Sequence, residues 1–396
     1  MPIGEAFEIN PKVSIKRGAE VPFISMGRLE PGRRDVDAVE TRSYSSGSKF
    51  EPGDTLMARI TPCLENGKIA RYLPKGEAMP AAGSTEFMVL RGRPGITETE
   101  YAYYFAIDPT IHDLAVSLMT GTSGRQRVDV RAFSETEVRI PHLETQCAIS
   151  SVLGSLDDKI AANSHAIEKA LNLQSAIWEA GTLAMPSVPL FEVAEPILGG
   201  TPSRKDESSW GGGYKWASVA DMTASPRSHL LNTAETISAK AAEKKRFSPL
   251  PAGSVLLSAR GTVGRVVSLV ESISFNQSAY GFRSIPGFEA ALRLAVTSVV
   301  DDLRAKSYGS VFSTITKTQI NEATVPDVFN DRDQSLHQEL NTLERLIVAL
   351  EKENITLSKT RDELLPLLMS GKITVKEASQ EAVSAGAQIS SEENEV

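Results

Sequence analysis

Two distant stretches of this 396-residue chain carry the same run of seam positions. Ile149, Leu153, Leu156, Ile160, Asn163, Ile167, Ala170, Gln174 and Ile177 follow one another at alternating steps of four and three. Leu336, Leu340, Leu343, Ile347, Leu350, Asn354, Leu357, Arg361 and Leu364 repeat those steps at a constant offset of 187. Such steps average 3.5 residues, the period of a seam between packed long helices. A chain with two such stripes has to bury both, and the repetition points to a duplicated plan instead of one continuous core.

The duplication extends upstream. Gly124 to Pro141 and Gly309 to Pro326 are in step at an offset of 185, each closing on a strand-like run before proline, Val138-Arg-Ile-Pro141 and Ala323-Thr-Val-Pro326. Gly53-Asp-Thr-Leu-Met-Ala-Arg59 resembles Gly253-Ser-Val-Leu-Leu-Ser-Ala-Arg260 with one residue inserted, both reading as a buried strand ending in arginine after a proline-containing turn. Val21-Pro-Phe-Ile-Ser-Met26 matches Tyr214-Lys-Trp-Ala-Ser-Val219 loosely. The expected fold is α/β, two pseudo-repeated globular domains, residues 1–141 and 187–326, separated by two long antiparallel coiled-coil helices, residues 142–186 and 327–373. Pro366 should kink the second helix and Gly371-Lys372 should cap it. The remainder, 374–396, is rich in Ser, Ala and Glu without apolar periodicity and is expected to be disordered.

The net charge of −8 argues at first against a nucleic-acid partner. The charge is segregated, however. Residues 187–326 hold 15 Lys and Arg against 12 Asp and Glu, whereas 327–396 hold 7 against 14, so the acidity falls on helix and tail. Local basic surface is compatible with that distribution. No basic, apolar and small-residue leader opens the chain, no apolar run is long enough to span a membrane, and Cys63 and Cys147 form no CxxC pair. A cytoplasmic protein without disulfides, zinc or a membrane partner is expected. Phosphate-loop, GxSxG, HExxH, kinase, methyltransferase and nuclease signatures are all missing from the sequence, which favours recognition over catalysis.

The residues resemble the specificity subunits of Type I restriction-modification enzymes over nearly the whole chain. Leu198-Gly-Gly-Thr-Pro-Ser203, followed by Trp210 and Tyr214-Lys-Trp216, looks like the opening of a target-recognition domain in that family. Gly53 to Ile69, with Pro62-Cys-Leu-Glu-Asn-Gly-Lys68, is similar to another branch of such domains. Pro141-His-Leu-Glu-Thr-Gln146 leading into a helix, and the closing Leu364-Leu-Pro-Leu-Leu-Met-Ser-Gly-Lys-Ile373, complete the likeness. The resemblance implies two target-recognition domains, each reading one half of a split double-stranded DNA site. It further implies helices that set the gap and dock two methyltransferase subunits, with restriction subunits as further partners. The chain itself would carry no cofactor, S-adenosylmethionine and ATP residing on the partners. The seam from Ile149 to Ile177 covers 29 residues, about 42 Å of helix and close to the roughly 34–36 Å of one DNA turn.

Candidate DNA-binding groups follow from the chemistry of side chains that neutralise phosphate or reach base edges. In the first domain they are Arg28, Arg33, Arg34, Arg42, Arg59, Lys68, Arg125, Gln126 and Arg127. In the second they are Thr201, Ser203, Arg204, Lys205, Lys244, Lys245, Arg246, Arg260, Arg265, Asn276, Gln277, Ser313 and Thr314. Any one of the basic residues taken singly reads better as solvated surface charge than as a DNA contact, and only as groups within a two-domain DNA reader does the balance shift; the loops Gly121 to Arg127 and Ser307 to Thr314 read equally as turns that position the next helix. Asn163, Gln174, Asn354 and Arg361 are polar where leucine is expected and would fix helix register; Trp178 reads as a packing anchor. Rival readings are a recognition subunit serving a methyltransferase alone, a coiled-coil scaffold that binds no DNA, and a cryptic nuclease.

Overall fold

A computed structural model describes residues 1–122, 124–225, 227–306, 314–330 and 334–389. The chain forms two compact units, Met1–Asn163 with Glu353–Val396, and Ser164–Lys352. The division passes through both long helices, Leu143–Thr182 and Ser335–Met369, so each unit holds part of each.

In the first unit a five-stranded sheet runs in the order Phe7–Ile9, Phe87–Gly92, Thr55–Ala58, Ile69–Tyr72, Asp35–Val36, and a four-stranded sheet in the order Glu40–Ser43, Glu20–Ile24, Ala81–Gly83, Ser48–Phe50. The central strand, Thr55–Ala58, is buried at every residue because a core lies on each of its faces. Leu56 joins Phe50, Tyr72 and Val89 in one core, while Met57 joins Met88, Leu90 and Tyr104 in the other, under the helices.

The second unit repeats the plan. Its five-stranded sheet runs Ile197–Leu198, Ala279–Phe282, Val255–Ser258, Val266–Leu269, His229–Leu230, beside a three-stranded sheet Glu235–Ile237, Trp210–Ala217, Ser274–Phe275. Leu256 and Val267 face one core, Val255 and Leu257 the other. The turns that launch the two central strands match in detail. Gly53 and Gly253 have φ of 95° and 79°, the left-handed region that glycine adopts without Cβ strain, and their amides reach Tyr72 and Leu269 carbonyls at 2.8 and 2.7 Å.

Two sequence alignments shift against the structure. Ile3 N donates to Thr136 O and Leu190 N to Ala323 O, both at 2.9 Å, while Pro2 bridges Glu137 and Pro189 pairs with Thr324. Those equivalences fix an offset of 187, not the 185 at which Pro141 and Pro326 coincide, because backbone pairing sets the register and the prolines lie beyond it. Likewise Ala259, not Arg260, takes the place of Arg59: Ala58 pairs with Phe87 and Ser258 with Ala279, so the next residues, Arg59 and Ala259, stand opposite Glu86 and Ser278.

The expectation of disorder from residue 374 is corrected by the helix Val375–Ser384. Thr374 and Glu377 form a reciprocal capping box, and Ala378 and Ala382 are fully buried against Leu364, Leu365 and Leu368. Small residues four apart make a flat face that packs closely, so low hydropathy did not prevent burial. Ahead of it the long helix ends at Met369 and is closed by Gly371, φ 70°, whose amide donates to Leu368 O. Among the described residues no helix is long and apolar enough to cross a membrane.

Candidate nucleic-acid interface

In the second unit the Leu198-to-Ser203 segment is held by close packing. A Cβ on Gly199 would lie 2.4 Å from the carbonyls of Phe275 and Asn276, and one on Gly200 would lie 2.7 Å from Arg246 Cγ. Neither position accepts a side chain without displacement. Trp216 Nε1 donates to Gly200 O at 3.0 Å, and Trp210 Nε1 to Ser203 O at 3.1 Å. The segment is thereby pressed onto the turn Lys245–Phe247 and onto the loop Asn276–Ser278, and Thr201 Oγ1 donates to Gln277. Thr201 and Gln277 thus meet, Arg246 packs on Gly200 with Lys244 and Lys245 just before it in the chain, and Arg260 joins the Asn276–Ser278 loop through its amide; these four cations are exposed and without an ion pair among the described residues. Arg204 stacks over Trp210, 3.8 Å from its centroid, and pairs with Glu235. Lys205 is exposed. Asn276 is partly occupied, its Oδ1 accepting from Ser278 N. Thr314 donates to Ala259 O; Ser313 lies outside the described residues.

In the first unit the turn equivalent to Ser278 carries a carboxylate, Glu86. Arg127 grips Glu86 with one edge of its guanidinium, Nη2 at 2.7 Å and Nε at 2.9 Å, and Arg59 Nε approaches the same carboxylate at 3.4 Å. The hydrogen bond from Arg127 holds the Glu86 carboxyl below the usual range. Gln126 is locked to Thr61 through its backbone in both directions, at 3.1 Å each, and Arg125 is exposed. Arg33 pairs with Glu30, and Arg42 with Glu40 while stacking 4.1 Å over Phe23. Lys68 donates to Met26 O at 3.1 Å, and Arg28 is half-buried with its Nε unpartnered.

Two proposed DNA contacts are corrected. Arg34 is 8% exposed and is consumed by Asp35, Asp158 and the Gly154 carbonyl. Arg265 donates to the carbonyls of Met222, Ser225 and Arg227, pinning that loop, and burial lowers its pKa. Arg34 engages all three of its guanidinium nitrogens inside the protein, and Arg265 its Nε and Nη2, so their donors chiefly hold the fold instead of standing ready for phosphate.

The polar seam positions all cross from helix to helix inside their units. Asn163 Nδ2 reaches Asn354 at 3.0 Å and Glu353 at 2.7 Å, and Arg361 reaches Asp157 at 2.6 Å. In the second unit Gln174 Nε2 donates to Leu340 O and Glu344, both at 2.9 Å. In the first unit partner numbers fall as seam numbers rise, and in the second Gln174 meets Leu340 and Glu344 while a Cβ on Gly181 would meet Leu336, so the paired segments run antiparallel within each unit. Trp178 is 6% exposed in the core of its unit. Sequence reading missed a buried cluster beside Gln174: His229 lies between Glu344 and Glu351, 2.9 Å from each, and Arg293 forks onto Glu344. The available signal was Glu344 and Glu351 seven residues apart, each one step past a seam leucine.

The geometry defines a tandem α/β protein, one two-sheet unit used twice, with loops bearing arginine and amide side chains in each copy. Residues 2–173 and 185–357 match the family model described as Type I restriction modification DNA specificity domain, and the chain belongs to that family. It is 29% identical over 144 residues to the Type I restriction enzyme EcoAI specificity subunit of Escherichia coli, covering 35% of this chain and 24% of that protein. With the MjaIX specificity subunit of Methanocaldococcus jannaschii it is 26% identical over 179 residues, 44% of this chain and 41% of the relative. The chain thus spans about a quarter of the first relative's length and under half of the second's. The crystal structure of the S subunit of a Type-I restriction-modification system from M. genitalium superposes with a TM-score of 0.56 at 13% identity, covering 93% of this chain and 95% of that one, which establishes a shared fold.

Proposed function

We propose that this chain is the sequence-recognition subunit of a Type I restriction-modification assembly, without a catalytic step of its own. Each unit reads one half of a split double-stranded target; the long helices set the unread gap, with Asn163, Gln174, Asn354 and Arg361 fixing their register, and offer docking for methyltransferase subunits. Restriction subunits complete the assembly, S-adenosylmethionine and ATP are held by the partners, and the complex works in the cytoplasm. The observation that carries the reading is the family match in two copies, each spanning a two-sheet unit and part of a long helix. The free cations around Thr201 and Gln277 support it, since phosphate neutralisation and arginine at base edges supply affinity and discrimination respectively.

The test is selection from a random duplex pool by the full chain in complex with its methyltransferase subunits. The retained duplexes are expected to share a split motif and to outlast random duplexes at about 200 mM salt by at least roughly a thousandfold in affinity. Retention that falls equally for all duplexes would leave a scaffold with general polyanion affinity and end this reading.

A further inference from the structure

The Arg127–Glu86 pair in the first unit has the geometry of a mounted reading group. Glu86 takes the Nε and Nη2 donors of Arg127 at 2.9 and 2.7 Å. The second edge of the guanidinium, Nη1 with the outer Nη2 hydrogen, makes no hydrogen bond among the described residues. That edge presents two parallel donors, the pattern that matches guanine O6 and N7. Both members are fixed from behind. Glu86 O accepts from Arg59 N at 3.0 Å and Glu86 N donates to Ser84 Oγ at 3.2 Å, while Arg127 is held by its bridge to Ile60 and its pairing with Thr120. The pair is accessible, Arg127 being 45% exposed and Glu86 20%. The matching turn in the second unit has Ser278 in place of Glu86, taking the amides of Ala259 and Arg260, so the frame is kept and the carboxylate is particular to one half.

We propose that Glu86 is a positioning residue that presents Arg127 to a guanine in the half-site read by the first unit. This rests on the reading of the chain as a DNA recogniser and deepens it. A carboxylate on this surface repels phosphate and weakens general affinity. It also removes most of the rotamer freedom of an exposed arginine, and a fixed fork loses less on binding than a mobile one. The trade is lower affinity for any duplex against sharper choice of one base pair.

The experiment compares the methylated motif written in cells by the methyltransferase complex of the unaltered chain, of Glu86→Gln and of Arg127→Gln. With Glu86→Gln, one guanine position in one half should become degenerate, its preference falling about tenfold, while affinity for random duplex rises. Arg127→Gln should abolish preference at that same position. The other half of the motif should stay intact in both, which a folding or assembly defect would not allow. Unchanged motifs in both variants, or changes at different positions, would overturn the assignment. Absence of any split motif with the unaltered chain would instead overturn the functional reading beneath it.

Discussion

Replacing His229 with phenylalanine is expected to destabilise the unit formed by residues 164–352 by about 3–5 kcal/mol near neutral pH, the usual consequence of stranding a buried charge. The ring is 1% exposed, with Glu344 on one nitrogen and Glu351 on the other, and Gln174 and Arg293 complete the ring of partners. Phenylalanine fills the space but leaves two carboxylates facing each other, and Arg293 can neutralise only one. Burial is the largest single influence on the histidine and opposes its charge, but the hydrogen bonds to Glu344 and Glu351 together outweigh it and raise its pKa. The folded protein therefore holds a proton that the unfolded chain releases. The resulting stability is complete below the free histidine value, about 6.5, and is lost as pH rises through the raised folded value. Urea unfolding across pH 6 to 9, a range set by roughly those values, should show stability falling in the unaltered chain and a flatter profile in His229→Phe. A flat profile in both would mean that the imidazole is neutral in the fold.

Arg361→Met should have a comparable effect on the other unit, about 3–5 kcal/mol, for the same reason with the signs reversed. Asp157 is 3% exposed; Arg361 reaches it at 2.6 Å and Tyr104 donates to it at 2.9 Å. Burial already raises the Asp157 pKa, although Arg361 pulls it down. Without the guanidinium the carboxyl should take up a proton on folding, so the deficit should be largest at neutral pH and shrink as pH falls. Adding Asp157→Asn to Arg361→Met should recover most of the loss, since a neutral pair strands no charge. A double variant no better than the single one would show that Arg361 acts through its contacts with Gly32 and Asp362 instead.

Periodic features of the fold were open to sequence reading, and features made by distant partners were not. The two seams were visible because apolar side chains at alternating steps of four and three leave one physical interpretation. The central strands were visible because burial on both faces makes their middles apolar, Leu56-Met57 and Val255-Leu-Leu257. The helix Val375–Ser384 was overlooked although Thr374 and Glu377 announce its start, since its buried face is alanine and serine and carries little hydropathy. For the candidate interface, sequence gave composition without orientation. Arg34 and Arg265 look in sequence like Arg125 and Arg260, yet the first two are spent on carbonyls and carboxylates brought from up to 124 residues away. Glu86 and His229 carried no local signal, because their meaning lies in Arg127 and Glu344, 41 and 115 residues distant.

The central claim, that the chain reads a split DNA site with one unit per half, is tested most directly by mapping modified bases in a methylation-free host that expresses the chain with its methyltransferase subunits. The account predicts one methylated motif made of two specified halves around several unread base pairs. It also predicts that exchanging residues 187–326 for those of a relative changes one half and leaves the other as it was. A contiguous motif, or two halves that change together on exchange, would contradict it.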